Sequence, residues 1–111
     1  MPPASAPIDP SITGELEAAL RARREGREGR ARVCARRAAG LAARAYLARQ
    51  GYPMDRVSAF DALQQLRGLA GLPEAAETLL EHLTRRVDSQ FSLPQEVDLL
   101  ADARQLADLL R

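Results

Sequence analysis

The run from Arg30 to Gly51, RARVCARRAAGLAARAYLARQG, constrains the fold more than any other stretch, because half of its residues are Ala, Gly or Cys and it contains no proline. Ala31, Cys34, Ala35, Ala38, Ala42 and Ala45 recur at steps of three and four with Leu41 among them, so they lie on neighbouring strips of one helix face. Side chains this small allow a second helix to approach closely. Apolar residues make up 46% of the chain but aromatics only 4%, so the core must be built from Leu, Ala and Val, a mixture that favours helix packing over sheet.

The arginines fill the remaining positions of this segment. Arg23, Arg30, Arg37 and Arg44 recur every seven residues, a spacing that drifts only about 20° per step on a continuous helix and lines them up as one positive ridge. Guanidinium groups in such a row can grip phosphates or carboxylates through paired N–H donors. These four are therefore the candidate anion- or partner-binding residues. The ridge requires the helix to continue through Gly26 and Gly29 in REGREGR, where each glycine costs about 1 kcal/mol against alanine. No proline or turn dipeptide intervenes, so the spacing predicts one long, locally weak first helix. Ser11 or Thr13 would cap it, with Ile12, Leu16, Ala19 and Leu20 on its apolar side.

Charge is segregated along the chain although the net charge is only +1. Residues 21–49 hold ten arginines against Glu25 and Glu28, whereas residues 50–111 hold six arginines against ten acids. Two outcomes are open: the later, acidic helices screen the basic one, or part of the basic face stays available to an acidic or anionic partner. All sixteen basic residues are arginine, which reflects the codon usage of a GC-rich genome before it reflects function.

The rest of the chain reads as further helices. Pro2, Pro3, Pro7 and Pro10 make residues 1–10 a disordered or extended lead-in, and residues 11–111 form a single helical-bundle domain of a size that can bury one core. Gly51 and Pro53 end the basic helix. Ser58 with Asp61 resembles a capping box and starts a short helix with Phe60, Leu63, Leu66 and Leu69 on one face, stopped by Gly68 and Gly71. With Pro73 at its first position and Glu74 and Glu77 in its first turn, the next helix runs to about Val87 and buries Ala76, Leu79, Leu80, Leu83 and Val87, with Arg85 and Arg86 at its end. Ser92 and Gln95 flank Pro94 as a second capping box, opening a last helix whose stripe is Val97, Leu99, Leu100, Ala103, Leu106, Ala107 and Leu110. The economical fold is an all-α, four- to five-helix up-and-down bundle with a long first helix.

Several function classes drop out. One cysteine rules out an intramolecular disulfide, and Cys34 with the lone His82 does not make a structural zinc site, so no metal and no cofactor is expected. Without an apolar leader or a run of about 18 apolar residues, no membrane contact and a cytoplasmic location are expected. A helix-turn-helix over residues 58–87 would lead into DNA with Glu74, Glu77 and Glu81, where phosphates repel, so DNA reading is not expected. His82 reads as a boundary histidine and Cys34 as packing.

Taken together, ARRAAGLAARAYLARQGYP, the short helix after Ser58 and the two closing helices resemble the HEPN family of small all-helical domains, over roughly residues 12–110. The resemblance implies a long helix rich in small residues, with a basic residue late in it and then a glycine or proline turn, packed against three others. Ribonuclease members of that family carry an arginine and, after four to six intervening residues, a histidine, working across a dimer interface. Here the only histidine is His82, and Ala75, Ala76 and Glu77 stand where the arginine would be. The resemblance thus implies a non-catalytic member that binds partners or nucleotides or pairs with a nucleotidyltransferase. The expectation is a non-enzymatic interaction or regulatory module, self-associating or bound to a protein partner. The alternative is an RNA-associated or toxin–antitoxin-type component that contacts phosphate through the basic ridge.

Overall fold

In the computed structural model, which describes residues 8–85 and 98–111, the chain is an all-α five-helix bundle. The helices are α1 (Pro10–Arg24), α2 (Glu28–Arg49), α3 (Ala59–Arg67), α4 (Glu74–Thr84) and α5 (Leu99–Leu110). α2 is central and packs against α1, α3 and α5. One hydrophobic cluster takes residues from all five helices.

The expected long first helix is two helices. Gly26 has φ +75, the left-handed conformation that ends a helix, and the N–H groups of Gly26 and Arg27 donate to the carbonyls of Arg23 and Ala22 at 3.0 and 2.8 Å. That pair of bonds is a Schellman stop. The same device ends α2: Gly51 has φ +96, and the N–H groups of Gly51 and Tyr52 donate to the carbonyls of Ala48 and Leu47, both at 3.0 Å. α1 and α2 are therefore a helical hairpin joined through Glu25, Gly26 and Arg27. Gly29 differs from Gly26, because it lies inside α2 and a Cβ there would meet nothing within 4 Å. Gly26→Ala is expected to cost about 1 kcal/mol, whereas Gly29→Ala is expected to stabilise by up to about 1 kcal/mol. Urea denaturation of the two single variants checks the opposite signs.

Three other boundaries and one buried face differ from the sequence expectation. The cap of α1 is Asp9, not Ser11 or Thr13, and it accepts from Ser11 N at 2.8 Å, with Pro10 as the first helical residue; the lead-in therefore ends two residues earlier. α4 stops at Thr84, because Arg85 is extended at φ −62 and ψ 127. Arg86 and Val87 lie outside the described residues. α5 begins at Leu99, since Asp98 has a non-helical backbone and accepts from Leu100 N and Ala101 N; Ser92, Pro94, Gln95 and Val97 are likewise outside the described residues. Phe60 is 38% exposed rather than packed, and Ala62 occupies the buried face of α3 with Leu63 and Leu66. The Ser58 cap stands as expected, accepting from Asp61 N at 3.0 Å.

Small residues set how closely the elements approach. Ala31, Cys34, Ala35, Ala38, Ala39, Ala42 and Ala43 are buried on α2, and at Gly40 the backbone of α3 comes so near that an added Cβ would meet Ala59 Cβ at 2.2 Å. α5 runs in the direction of α2. Its first turn is tied to Arg23 at the hairpin end, and the Leu110 carbonyl near its last turn accepts from Arg49 at the other end.

Candidate functional site

The four arginines of the expected ridge are not brought together. Arg23 belongs to α1, where the hairpin turn separates it from the others. Its Nη2 donates to Glu28 Oε1 at 2.8 Å and to Asp98 Oδ1 at 3.0 Å. Hydrogen bonds to Glu28 and then to Asp98 raise its pKa above the ordinary arginine value, and the Arg23 guanidinium in turn holds the Asp98 carboxyl below the usual carboxylate value. This residue clamps the start of α5 to the hairpin and is spent there. Arg44 is half-buried and turns toward the loop after α2, with Nη2 3.4 Å from the Met54 carbonyl.

Arg30 and Arg37 remain exposed on α2. Between them stands Val33, the most exposed large apolar side chain among the described residues at 43%. Steps of three and four place Arg30, Val33 and Arg37 within about 60° of arc on one side of the helix. Burial of the remaining faces by α1, α3 and α5 leaves this strip as the open side. It ends in one direction at the hairpin turn, next to exposed Arg27, and in the other at Gly40, which Ala59 covers. Val33 was not among the residues singled out from the sequence, although its distance of three from Arg30 and four from Arg37 is the signal that would have found it.

Among the described residues, no carboxylate of the later helices pairs with an arginine of α2. Among the described residues, Arg30, Arg32, Arg36, Arg37 and Arg44 make no ion pair; the arginine bridges that do form engage Arg23, Arg85 and Arg111. Arg36 shows the cost. Burial, and secondly the like charge of Arg32 one turn away, hold its guanidinium below the ordinary arginine value, and its Nη2 is buried with no hydrogen-bond partner. Like charges four apart on a helix destabilise it.

No family model, curated protein or solved structure matches this chain. The functional reading therefore rests on the chain's own residues.

Three other places hold polar or reactive groups. His82 Nδ1 lies 2.9 Å from Asp102 Oδ2, a bond that joins α4 to α5. Cys34 is 1% exposed, in the α2 core. A cleft of about 440 Å³ opens between the start of α1 and the ends of α2 and α5, over Ile12, Ala42, Ala45, Ala107 and Leu110. Its polar rim is already engaged: Arg49 donates to the Leu110 carbonyl, and Asp9 accepts from Ser11. Among the described residues no helix is long and apolar enough to cross a membrane, and no cluster of three or more His, Cys, Asp or Glu is placed to hold a metal ion.

Proposed function

We propose that this protein is a non-enzymatic helical interaction or regulatory module whose working surface is the outer face of the N-terminal half of α2. The observation that carries the reading is that Arg30 and Arg37 are exposed and without a carboxylate partner among the described residues, although Asp and Glu side chains are plentiful elsewhere on the bundle. A positive surface left unneutralised inside a nearly neutral protein favours an acidic partner and speeds its approach. The non-catalytic part of the reading is supported by Cys34, which solvent does not reach. Membership among the non-catalytic HEPN-like proteins, and association with a nucleotidyltransferase or with a second copy, belong to the same proposal. The order of a long small-residue helix followed by three further helices supports it.

The competing reading is contact with RNA phosphate through the same arginines. Exposed Arg21, Arg24 and Arg27 extend the positive surface around the hairpin end and favour it.

Arg30→Glu combined with Arg37→Glu is the direct test. Both side chains are exposed, so the melting temperature should stay within a few degrees of the parent, while binding to immobilised polyglutamate, present in the parent at low salt, should be lost. Unfolding of the variant would show that the strip is paired within the bundle. Equal binding by parent and variant would remove the strip as the working surface. Metal-independent RNA cleavage that His82→Ala abolishes would overturn the non-enzymatic reading.

A further inference from the structure

The strip has a size, a charge order and an apolar centre, and together they specify what fits it. Arg30 and Arg37 are seven residues apart, about 10.5 Å along the helix axis, with Val33 between them and 43% exposed. From Arg27 to Arg37 the open surface spans about three helical turns before Ala59 covers Gly40. A helix laid along it, with carboxylates two turns apart and an apolar residue between them, would neutralise both guanidiniums and cover Val33 together.

The same pattern argues against the other occupants. A second copy laid antiparallel on this face would oppose Arg30 to Arg37 in both directions, and juxtaposed like charges disfavour that pairing. The exposed acids of α4 are a poorer match, because Glu81 is already bridged to Arg85 at 3.5 Å. Single-stranded RNA gains much of its affinity from bases stacked on aromatic rings, and the exposed aromatics, Tyr52 and Phe60, lie outside α2. Val33 would then be covered by nothing that gains from its burial.

We infer that the Arg30–Val33–Arg37 strip docks an acidic amphipathic helix of a different protein, one that places carboxylates about two turns apart on either side of an apolar side chain. The inference rests on the proposed use of the outer face of α2 and names the partner class for it.

The test uses the full chain and a fluorescein-labelled helical peptide with Glu at positions seven apart and Leu midway, beside a peptide of the same composition with the Leu moved to the opposite face. Fluorescence anisotropy should show the first peptide binding more tightly than the second and weakening with added salt. Val33→Asp and Arg37→Glu should each weaken it by at least about tenfold. Changing the facing Glu of the peptide to Lys should restore binding to the Arg37→Glu protein. Equal binding of the two peptides, or no restoration by the charge swap, would overturn the proposed register. If neither peptide binds but single-stranded RNA does, in a manner lost with Arg30→Glu and Arg37→Glu, the acidic helix is wrong while the basic face keeps its role. If no anionic probe responds to those substitutions, both readings fall. A dimer in sedimentation that Arg37→Glu dissociates would replace the foreign helix by a second copy.

Discussion

Gly40→Ala is expected to destabilise the protein by about 3 kcal/mol, at the upper end of what overpacking a core costs. The added methyl would meet Ala59 Cβ at 2.2 Å, Ala59 Cα at 2.7 Å and the Ala59 carbonyl oxygen at 2.8 Å. Two of those three atoms are backbone, so no rotamer change relieves the contact and α3 must shift away from α2. Displacement of α3 would also loosen Leu63 and Leu66, which are buried against the common core. Denaturant unfolding should show a lower midpoint with an unchanged slope, and the melting temperature should fall by more than about 10 °C. Ala59→Gly in the Gly40→Ala background should recover only part of the loss, because it removes the Cβ contact and leaves the backbone contacts in place. A variant within a degree of the parent would show that the two helices are not in contact at this point.

The next largest effect is expected at Asp98. Its carboxylate caps α5 through Leu100 N and Ala101 N and pairs with Arg23 across 75 positions of sequence. Asp98→Ala removes both roles and should cost about 1.5–2 kcal/mol, most of it from the cap, because the ion pair is roughly half exposed and screened. Asp98→Asn keeps a capping oxygen and loses the charge, so it should cost less. The pH dependence separates the two roles. The Arg23 hydrogen bonds hold the Asp98 carboxyl below its ordinary value, so the folded protein takes up this proton less readily than the unfolded chain. The resulting stabilisation is present in full above the ordinary carboxylate pKa and is lost as pH falls through the lower folded value. Urea midpoints measured from pH 7 down to pH 3 should therefore fall more steeply in the parent than in Asp98→Asn. Parallel acid limbs would contradict the pairing.

Much of the fold was legible from spacings of three and four. The buried strip Ala31, Cys34, Ala35, Ala38 and Ala42, the stop at Gly51 and the Ser58 cap all stand where those spacings put them. Each depends on residues within one or two turns of one another, and the local chain carries that information. Gly26 and Gly29 show where this ends. The two are three residues apart in the same polar repeat, yet one has a left-handed backbone and the other is helical. A helix tolerates either glycine at a modest cost, so the repeat alone permits a straight helix or a turn. The turn prevails because it folds α1 back onto α2, where Ile12, Leu16 and Ala19 join the common core.

The candidate site followed the same division. Helical type, the positive charge of residues 21–49 and the seven-residue arginine spacing are properties of the sequence read locally, because they involve only rise, turn angle and residue type. Which of those arginines stay free is set by groups that packing delivers from elsewhere. Asp98 takes Arg23 from the ridge, the Met54 carbonyl draws Arg44 aside, and Ala59 closes the strip at Gly40. These partners come from 75, 10 and 19 positions away. Their arrival depends on how five helices share one core, and no periodicity within α2 encodes it. Arg30, Val33 and Arg37 are left open because none of those contacts reaches them.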